Sequence, residues 1–113
     1  MKFVDKKIPL EELKTMSARM FGGLVKAVID VKKEVMVVDA SMHADEENYL
    51  LQSGSQQDDL WGINLYPELK NDDFIEFDSM INVRPRLNNL SRNITDQKLR
   101  EKIISIVNKL VTK

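Results

Sequence analysis

Apolar and polar residues alternate along two stretches in the middle of the chain, Leu60–Tyr66 and Phe74–Val83. Alternation with period two is typical of β-strands, because successive side chains point to opposite faces of a sheet. A seven-residue polar connection at 67–73 separates the two stretches, so together they predict a hairpin. Each strand thus has an apolar row, which is predicted to face the core, and a polar row. The apolar row is Trp61, Ile63, Leu65, Ile75, Phe77, Ile81 and Val83. The polar row is Asn64, Tyr66, Glu76, Asp78, Asn82 and Arg84.

Three other segments are predicted to be helices. Leucines and methionines between positions 10 and 20 predict a helix that starts near Pro9 and stops at Gly22-Gly23. Ser41–Ser53 predicts a short helix with carboxylates in its first turn, where they suit the helix dipole. Thr95 is the predicted N-cap of a last helix, which runs to about Val111 with one apolar stripe.

The remaining strands are predicted by their content of valine and isoleucine. Lys2–Val4 predicts a short first strand, and Leu24–Val31 with Glu34–Ala40 predicts a second hairpin around a two-lysine connection. Its register places Lys26 opposite Asp39.

The resulting order β-α-β-β-α-β-β-α predicts an α+β fold. We expect a two-layer sandwich in which three helices lie mainly on one face of an antiparallel sheet of four or five strands. Residues 1–113 suffice for one compact domain. The other sheet face is expected to stand open and to be partly apolar, with Leu24, Val28, Val35 and Val37.

The composition restricts the cellular compartment of the protein more than it restricts the activity. The chain has no cysteine, which removes disulfides and thiolate chemistry and fits a reducing compartment. Its apolar runs are far shorter than the ~20 residues of a membrane span, and its acid-containing N-terminus does not resemble a signal peptide. We therefore expect a cytoplasmic protein without membrane segments. The sequence pI of about 5.8 argues against nucleic-acid binding.

The net charge of −1 hides a segregation of charge along the chain. Residues 1–33 carry eight basic and four acidic side chains, residues 34–78 carry one and twelve, and residues 84–113 carry eight and two. Pairing of the blocks in the fold would mix the surface charge, whereas separation would leave an acidic site beside a basic rim. The sequence leaves both arrangements open.

The polar row of the central hairpin is the first candidate for chemistry. The predicted register places Asn64 opposite Glu76 and Gly62 opposite Asp78. A carboxylate beside a glycine leaves space for a ligand or a water, so Asp78 is a candidate general base. A solvated outer sheet face would also be polar and is the alternative interpretation.

The predicted second helix contains the only histidine, His43. Its imidazole could act as a general base near neutral pH, and three carboxylates beside it could hold a divalent metal. The alternative is a helix N-terminus that carries acids because of its dipole. These candidate metal ligands are Asp45, Glu46 and Glu47. No other cofactor is indicated by a motif.

Three arginines lie within nine residues, shortly before the last helix. Guanidinium groups match carboxylates and phosphates, so this segment is a candidate site for a small anionic ligand. The alternative is that the arginines neutralise the acidic middle of the chain. The predicted ligand-binding residues are Arg84, Arg86 and Arg92, together with Asn64, Asn82 and Asn89.

Several strings of this chain resemble a family of small prokaryotic proteins known only as a domain of unknown function. They are MHADEE, GSQQDDLWGINLYP, IEFDSMINVRP and NNLSR. The resemblance covers most of the chain and implies a single compact domain. It implies no activity, substrate or cofactor.

Two functions of different classes fit these features. The first is a small soluble binding or interaction domain, which could self-associate as a homodimer through the open sheet face. The alternative is an enzyme that acts on a small anionic or phosphorylated substrate, with His43 or Asp78 as the base and a metal as an aid. Convergence of His43, Asp78, Asn82 and Arg84 in one concave pocket would favour the enzyme.

Overall fold

The computed structural model describes all residues from 1 to 113. It contains three helices and seven strands, and the α+β class expected from the sequence is confirmed. No helix combines the length and the apolar character needed to cross a membrane. The elements are β1 (Lys2–Val4), β2 (Ile8–Pro9), α1 (Leu10–Ala18), β3 (Val25–Asp30), β4 (Val35–Val38), α2 (His43–Gln52), β5 (Leu60–Leu65), β6 (Ile75–Glu76), α3 (Gln97–Leu110) and β7 (Val111–Thr112).

Five strands form the main sheet in the order β1-β4-β3-β5-β6, and every neighbouring pair is antiparallel. The predicted hairpin registers are confirmed: β3 and β4 continue to Lys26 opposite Asp39, and Asn64 lies opposite Glu76. The short strands β2 and β7 form a separate parallel pair. A slip of one residue would have moved every side chain of a strand to the opposite face of the sheet.

The turn between β3 and β4 is held by a side chain rather than by typical turn residues. Asp30 Oδ1 accepts hydrogen bonds from the backbone N–H groups of Lys32 and Lys33, each at 2.9 Å. Its Oδ2 accepts the hydroxyl of Ser55 at 2.6 Å. Glu34 closes the turn with a φ of 59°. A buried aspartate therefore stabilises a tight turn that lacks asparagine and glycine.

The main core lies between one sheet face and the helices α1 and α3. Its strand residues belong to the apolar row of the central hairpin and to the matching rows of β3 and β4. Trp61 is 5% exposed and belongs to this core, as expected. The fully buried residues of the two helices are Leu13 of α1 and Ile103, Ile106, Val107 and Leu110 of α3.

Helix α2 lies on the opposite face of the sheet, so the helices are divided between two faces. Leu50 of α2 packs with Val28, Val37 and Leu60 in a second, smaller core. Val28 and Val37 are fully buried, so the apolar row that we expected to stand open is covered. Of the surface proposed for self-association, Val28 and Val37 are therefore interior, whereas Leu24 and Val35 are half-buried. Because helices cover both faces of the sheet, the architecture has three layers rather than two.

The second strand of the central hairpin is much shorter than the predicted Phe74–Val83. Strand β6 ends at Glu76, and a single 3-10 turn follows at Met80–Asn82. Ser79 caps this turn by accepting the N–H of Ile81 at 3.3 Å. Serine and asparagine compete with sheet pairing because their side chains bond to nearby backbone, and here that competition ends the strand.

The last helix begins one residue later than predicted. Asp96, and not Thr95, is the N-cap, and its Oδ1 accepts the N–H of Lys98 at 2.9 Å. The basic side of the helix reaches the acidic middle of the chain, where Lys102 and Lys109 both bond to Glu34. This pairing lowers the pKa of Glu34 to about 2. The segregated charges of the sequence are thus brought together by the fold.

Candidate functional site

The open edge of β5 beyond β6 is paired by a side chain. The N–H of Gly62 donates to Asn82 Oδ1 at 2.8 Å, and Asn82 Nδ2 donates to the carbonyl of Gly62 at 2.9 Å. Two opposed residues of an antiparallel pair exchange the same two bonds through their backbones. The carboxamide of Asn82 therefore takes the place of a strand residue, which explains an asparagine in the polar row.

Asn89 fixes the loop that follows. Its Nδ2 donates to the carbonyls of Asn82 and Asn93, each at 2.7 Å, and its Oδ1 accepts the N–H of Thr95 at 3.1 Å. The backbones of Arg84 and Asn89 also bond to each other in both directions, at 2.7 and 3.1 Å. Asn82 and Asn89 thus hold the backbone of the arginine-containing loop in one conformation, and their amides are already engaged.

The space beside Gly62 is filled by other side chains of the protein, and Asp78 is not one of them. A Cβ atom at position 62 would lie 2.6 Å from Cβ and 2.7 Å from Oγ of Ser79, and 3.2 Å from Cδ2 of His43. Asp78 turns away and accepts a hydrogen bond from Arg92 Nε at 2.6 Å. The space beside the glycine therefore admits Ser79 and α2, and not a ligand.

Gly62→Ala is expected to destabilise the protein by about 2 to 3 kcal/mol, because the new methyl group overlaps Ser79 and the backbone must shift. Urea unfolding followed by fluorescence measures the loss. Adding Ser79→Gly should restore part of it, since the nearest atoms would be removed. Additive losses in the double variant would contradict this account of the contact.

Two titratable groups of α2 are buried against the sheet. His43 Nε2 donates to the carbonyl of Ile63 at 2.7 Å, which fixes the proton on that nitrogen. Burial lowers the pKa of His43, so the imidazole is neutral at pH 7. This hydrogen bond fastens the N-terminus of α2 to β5.

Glu46 is completely buried one turn further along α2. Its Oε2 accepts the N–H of Ala40 at 3.0 Å, whereas Oε1 has no hydrogen-bond partner. Burial raises the pKa of Glu46 to about 9, against the smaller opposing effects of the Ala40 bond and of Lys26. The carboxyl group is therefore protonated at neutral pH, when it would be a poor ligand for a cation.

The three acidic residues considered as metal ligands point to different surroundings. Asp45 is exposed, Glu46 is buried beside Ala40, and Glu47 pairs with Arg84 at 3.0 Å. No group of three or more histidine, aspartate or glutamate side chains is arranged to hold a metal ion. The sequence did not predict that Glu46 is a buried, protonated carboxyl group.

Arg84 is the most enclosed of the three loop arginines. Its side chain is 8% exposed, and its guanidinium lies 4.8 Å from the centre of the Trp61 ring. Nη2 donates to Glu47 at 3.0 Å, but Nη1 is buried without any partner. Burial lowers the pKa of Arg84, and the nearby positive charge of Arg86 acts in the same direction.

A cavity of about 320 Å³ lies beside this guanidinium, between α2 and the loop. Arg86 also lines it and donates two hydrogen bonds to Asp58, which raise the pKa of Arg86. Polar and apolar groups are mixed in its wall. Besides the two arginines, the wall includes Glu47, Gln57, Met80, Ile81 and Val83.

The predicted site residues therefore separate into distinct places. Arg84 and Arg86 share the cavity, whereas Arg92 pairs with Asp78 outside it. Asn64 donates to Glu76 at 2.8 Å and keeps a buried Oδ1 without a partner. His43, Asp78 and Asn82 do not line the cavity with Arg84, so the geometry does not favour the enzyme alternative.

Comparison with protein-family models gives one match, which covers residues 2–110 and has the description "protein of unknown function (DUF5674)". The chain belongs to this family. No curated protein and no solved structure matches the chain. DUF5674 membership agrees with the family resemblance seen in the sequence, and it assigns no role to the Arg84 cavity.

Proposed function

We propose that this protein is a small-ligand binding domain, and that the cavity beside Arg84 takes a small carboxylate with an apolar body. The observation that carries the proposal is Arg84, which lines the cavity and whose buried Nη1 is a charged donor without a hydrogen-bond partner. Leaving such a donor unsatisfied costs free energy that an incoming acceptor would recover. A carboxylate oxygen is the natural acceptor for a guanidinium.

The surroundings of Arg84 support this ligand class. A second guanidinium, that of Arg86, lines the same cavity, and the side chains of Met80, Ile81 and Val83 supply apolar surface beside them. Asn82 and Asn89 fix the loop before any ligand arrives, so little ordering is required on binding. Glu47 and Asp58 partly neutralise the arginines, which favours a weak and selective site over a general anion trap.

Titration with benzoate should change the fluorescence of Trp61, the only tryptophan, because the guanidinium stacked on its ring is the proposed contact. Benzamide, which has the same ring without the charge, should bind at least about tenfold more weakly, since a charge-assisted hydrogen bond is about twice as strong as a neutral one. Isothermal titration calorimetry provides an independent measurement of both affinities.

Arg86→Gln is the variant for this test, because Arg86 is exposed and its loss leaves the core intact. Arg92→Gln is the matched control, since it removes an exposed guanidinium of the same loop that lies outside the cavity. Benzoate affinity should fall in the first variant and stay unchanged in the second. Equal affinity of wild type and Arg86→Gln, or no preference for benzoate over benzamide, would refute the proposed site.

A further inference from the structure

A larger groove lies on the opposite side of the sheet, beside helices α1 and α3. It has a volume of about 910 Å³, within the range of cavities that enclose small organic ligands. The segment 67–77 closes its third side. Its apolar surface is supplied by Leu10, Leu69, Phe74, Ile75, Phe77 and Ile104.

Cations outnumber acids in this groove. Lys14, Lys70, Arg100 and Lys113 line it, against Glu68 and Asp72. Only Lys14 reaches a carboxylate, at 3.9 Å from Glu68 and 3.6 Å from Glu11, distances too long for strong pairing. The other three cations form no ion pair, which distinguishes them from the arginines around the first cavity.

Arg100 is held in place without an acidic partner. Its guanidinium lies 4.6 Å from the centre of the Phe77 ring, and its donors bond to the carbonyl of Ile94 and to the side chain of Asn93. A cation therefore stands next to the aromatic surface of the groove with its charge uncompensated. Such a combination suits a ligand that is apolar along its length and negative at one end.

We propose that this groove binds a small amphipathic anion, namely a carboxylate on a linear aliphatic chain. The chain would lie along Phe74, Phe77 and Ile104, and the carboxylate would face Lys70 and Arg100. Charge complementarity selects this occupant over an amphipathic cation, which would meet the same apolar surface with like charge. The site is independent of the Arg84 cavity, because the two lie on opposite faces of the sheet.

Calorimetric titration with decanoate, below its micelle concentration, tests the proposal. We expect one site per chain with a Kd of about 0.1 mM, from burial of part of a ten-carbon chain less the cost of ordering it. Decyltrimethylammonium carries the same chain with the opposite charge, and should bind at least about tenfold more weakly. Equal binding of the two amphiphiles, or no binding of decanoate, would overturn the proposal.

Two variants locate the site. Lys70→Glu and Ile104→Asp change exposed residues of the groove, so both variants should fold. Each substitution should lower the affinity for decanoate by about tenfold. Lys98→Glu is the matched control, because it makes the same charge change at an exposed position of α3 outside the groove. Equal losses in Lys70→Glu and Lys98→Glu would mean nonspecific attraction and would reject the groove. Arg86→Gln should leave decanoate binding unchanged, which separates this result from the benzoate experiment.

Discussion

Replacing Glu46 by glutamine is expected to stabilise the protein by a margin that grows with pH. Burial raises the pKa of Glu46 to about 9 in the folded protein, whereas the unfolded chain has the ordinary value of 4.5. Between these values the unfolded state releases the proton and the folded state keeps it. The free energy of unfolding therefore falls as pH rises, by about 1.4 kcal/mol for each pH unit.

Glutamine removes this titration while it keeps the shape of the side chain and an acceptor for the N–H of Ala40. The difference in unfolding free energy between Glu46→Gln and wild type should therefore increase by about 4 kcal/mol from pH 5 to pH 8. Urea unfolding at each pH unit measures it, and the difference between the two proteins cancels the other titrating groups.

Asp45→Asn is the control, because it removes an exposed carboxylate from the same turn of α2. A difference between Glu46→Gln and wild type that stays constant over this pH range would show that Glu46 is not buried as a neutral acid. His43 affects stability at lower pH. Because its pKa is lowered in the folded protein, the unfolded state binds a proton more readily, and stability falls as pH drops below about 6.5, the ordinary pKa of an imidazole.

The placement of α2 shows why part of this fold could not be predicted from hydrophobic pattern. Its buried positions are His43, Glu46 and Leu50, which have helical spacing but include only one apolar side chain. Strands β3, β4 and β5, by contrast, bury continuous apolar rows, and both hairpin registers were predicted correctly. The predicted row beyond Glu76 was wrong, because Ile81 packs on the second core and Val83 is exposed. In the sequence, His43 and Glu46 are indistinguishable from residues of a solvent-exposed helix face. Their burial follows only from the packing of α2 on the sheet.

The arginines illustrate the same limit for the candidate site. Their clustering is visible in the sequence, but each one pairs with a carboxylate from a distant segment: Glu47, Asp58 or Asp78. Only tertiary structure shows which guanidinium has a buried donor without a partner, and that one is Arg84. The groove beside α3 had no sequence signal at all, because its cations and aromatic residues come from separate elements, each of which has an ordinary amphipathic pattern.

Asn82→Ala is expected to destabilise the protein by about 4 kcal/mol. Asn82 is completely buried, and it bonds to the N–H and carbonyl of Gly62 and to the carbonyl of Arg92. Alanine would leave the N–H and the carbonyl of Gly62 without partners in a buried place, and each such group costs about 1 to 3 kcal/mol. The carbonyl of Arg92 would lose one of two bonds, since it also accepts the N–H of Ser79 at 3.1 Å. Urea unfolding followed by the fluorescence of Trp61, the neighbour of Gly62 in β5, measures the loss of unfolding free energy.

Asn48→Ala provides the control, because Asn48 is an exposed asparagine of α2 and its loss should change stability by no more than about 0.5 kcal/mol. Asn82→Asp separates the two directions of hydrogen bonding: a carboxylate can still accept the N–H of Gly62 but can no longer donate to the two carbonyls. It should therefore fail to restore the stability lost in Asn82→Ala. Since Asn82 also anchors the loop that carries Arg84, the alanine variant should bind benzoate more weakly under conditions in which it remains folded. Wild-type stability in Asn82→Ala would mean that the edge of β5 does not depend on this side chain for its pairing.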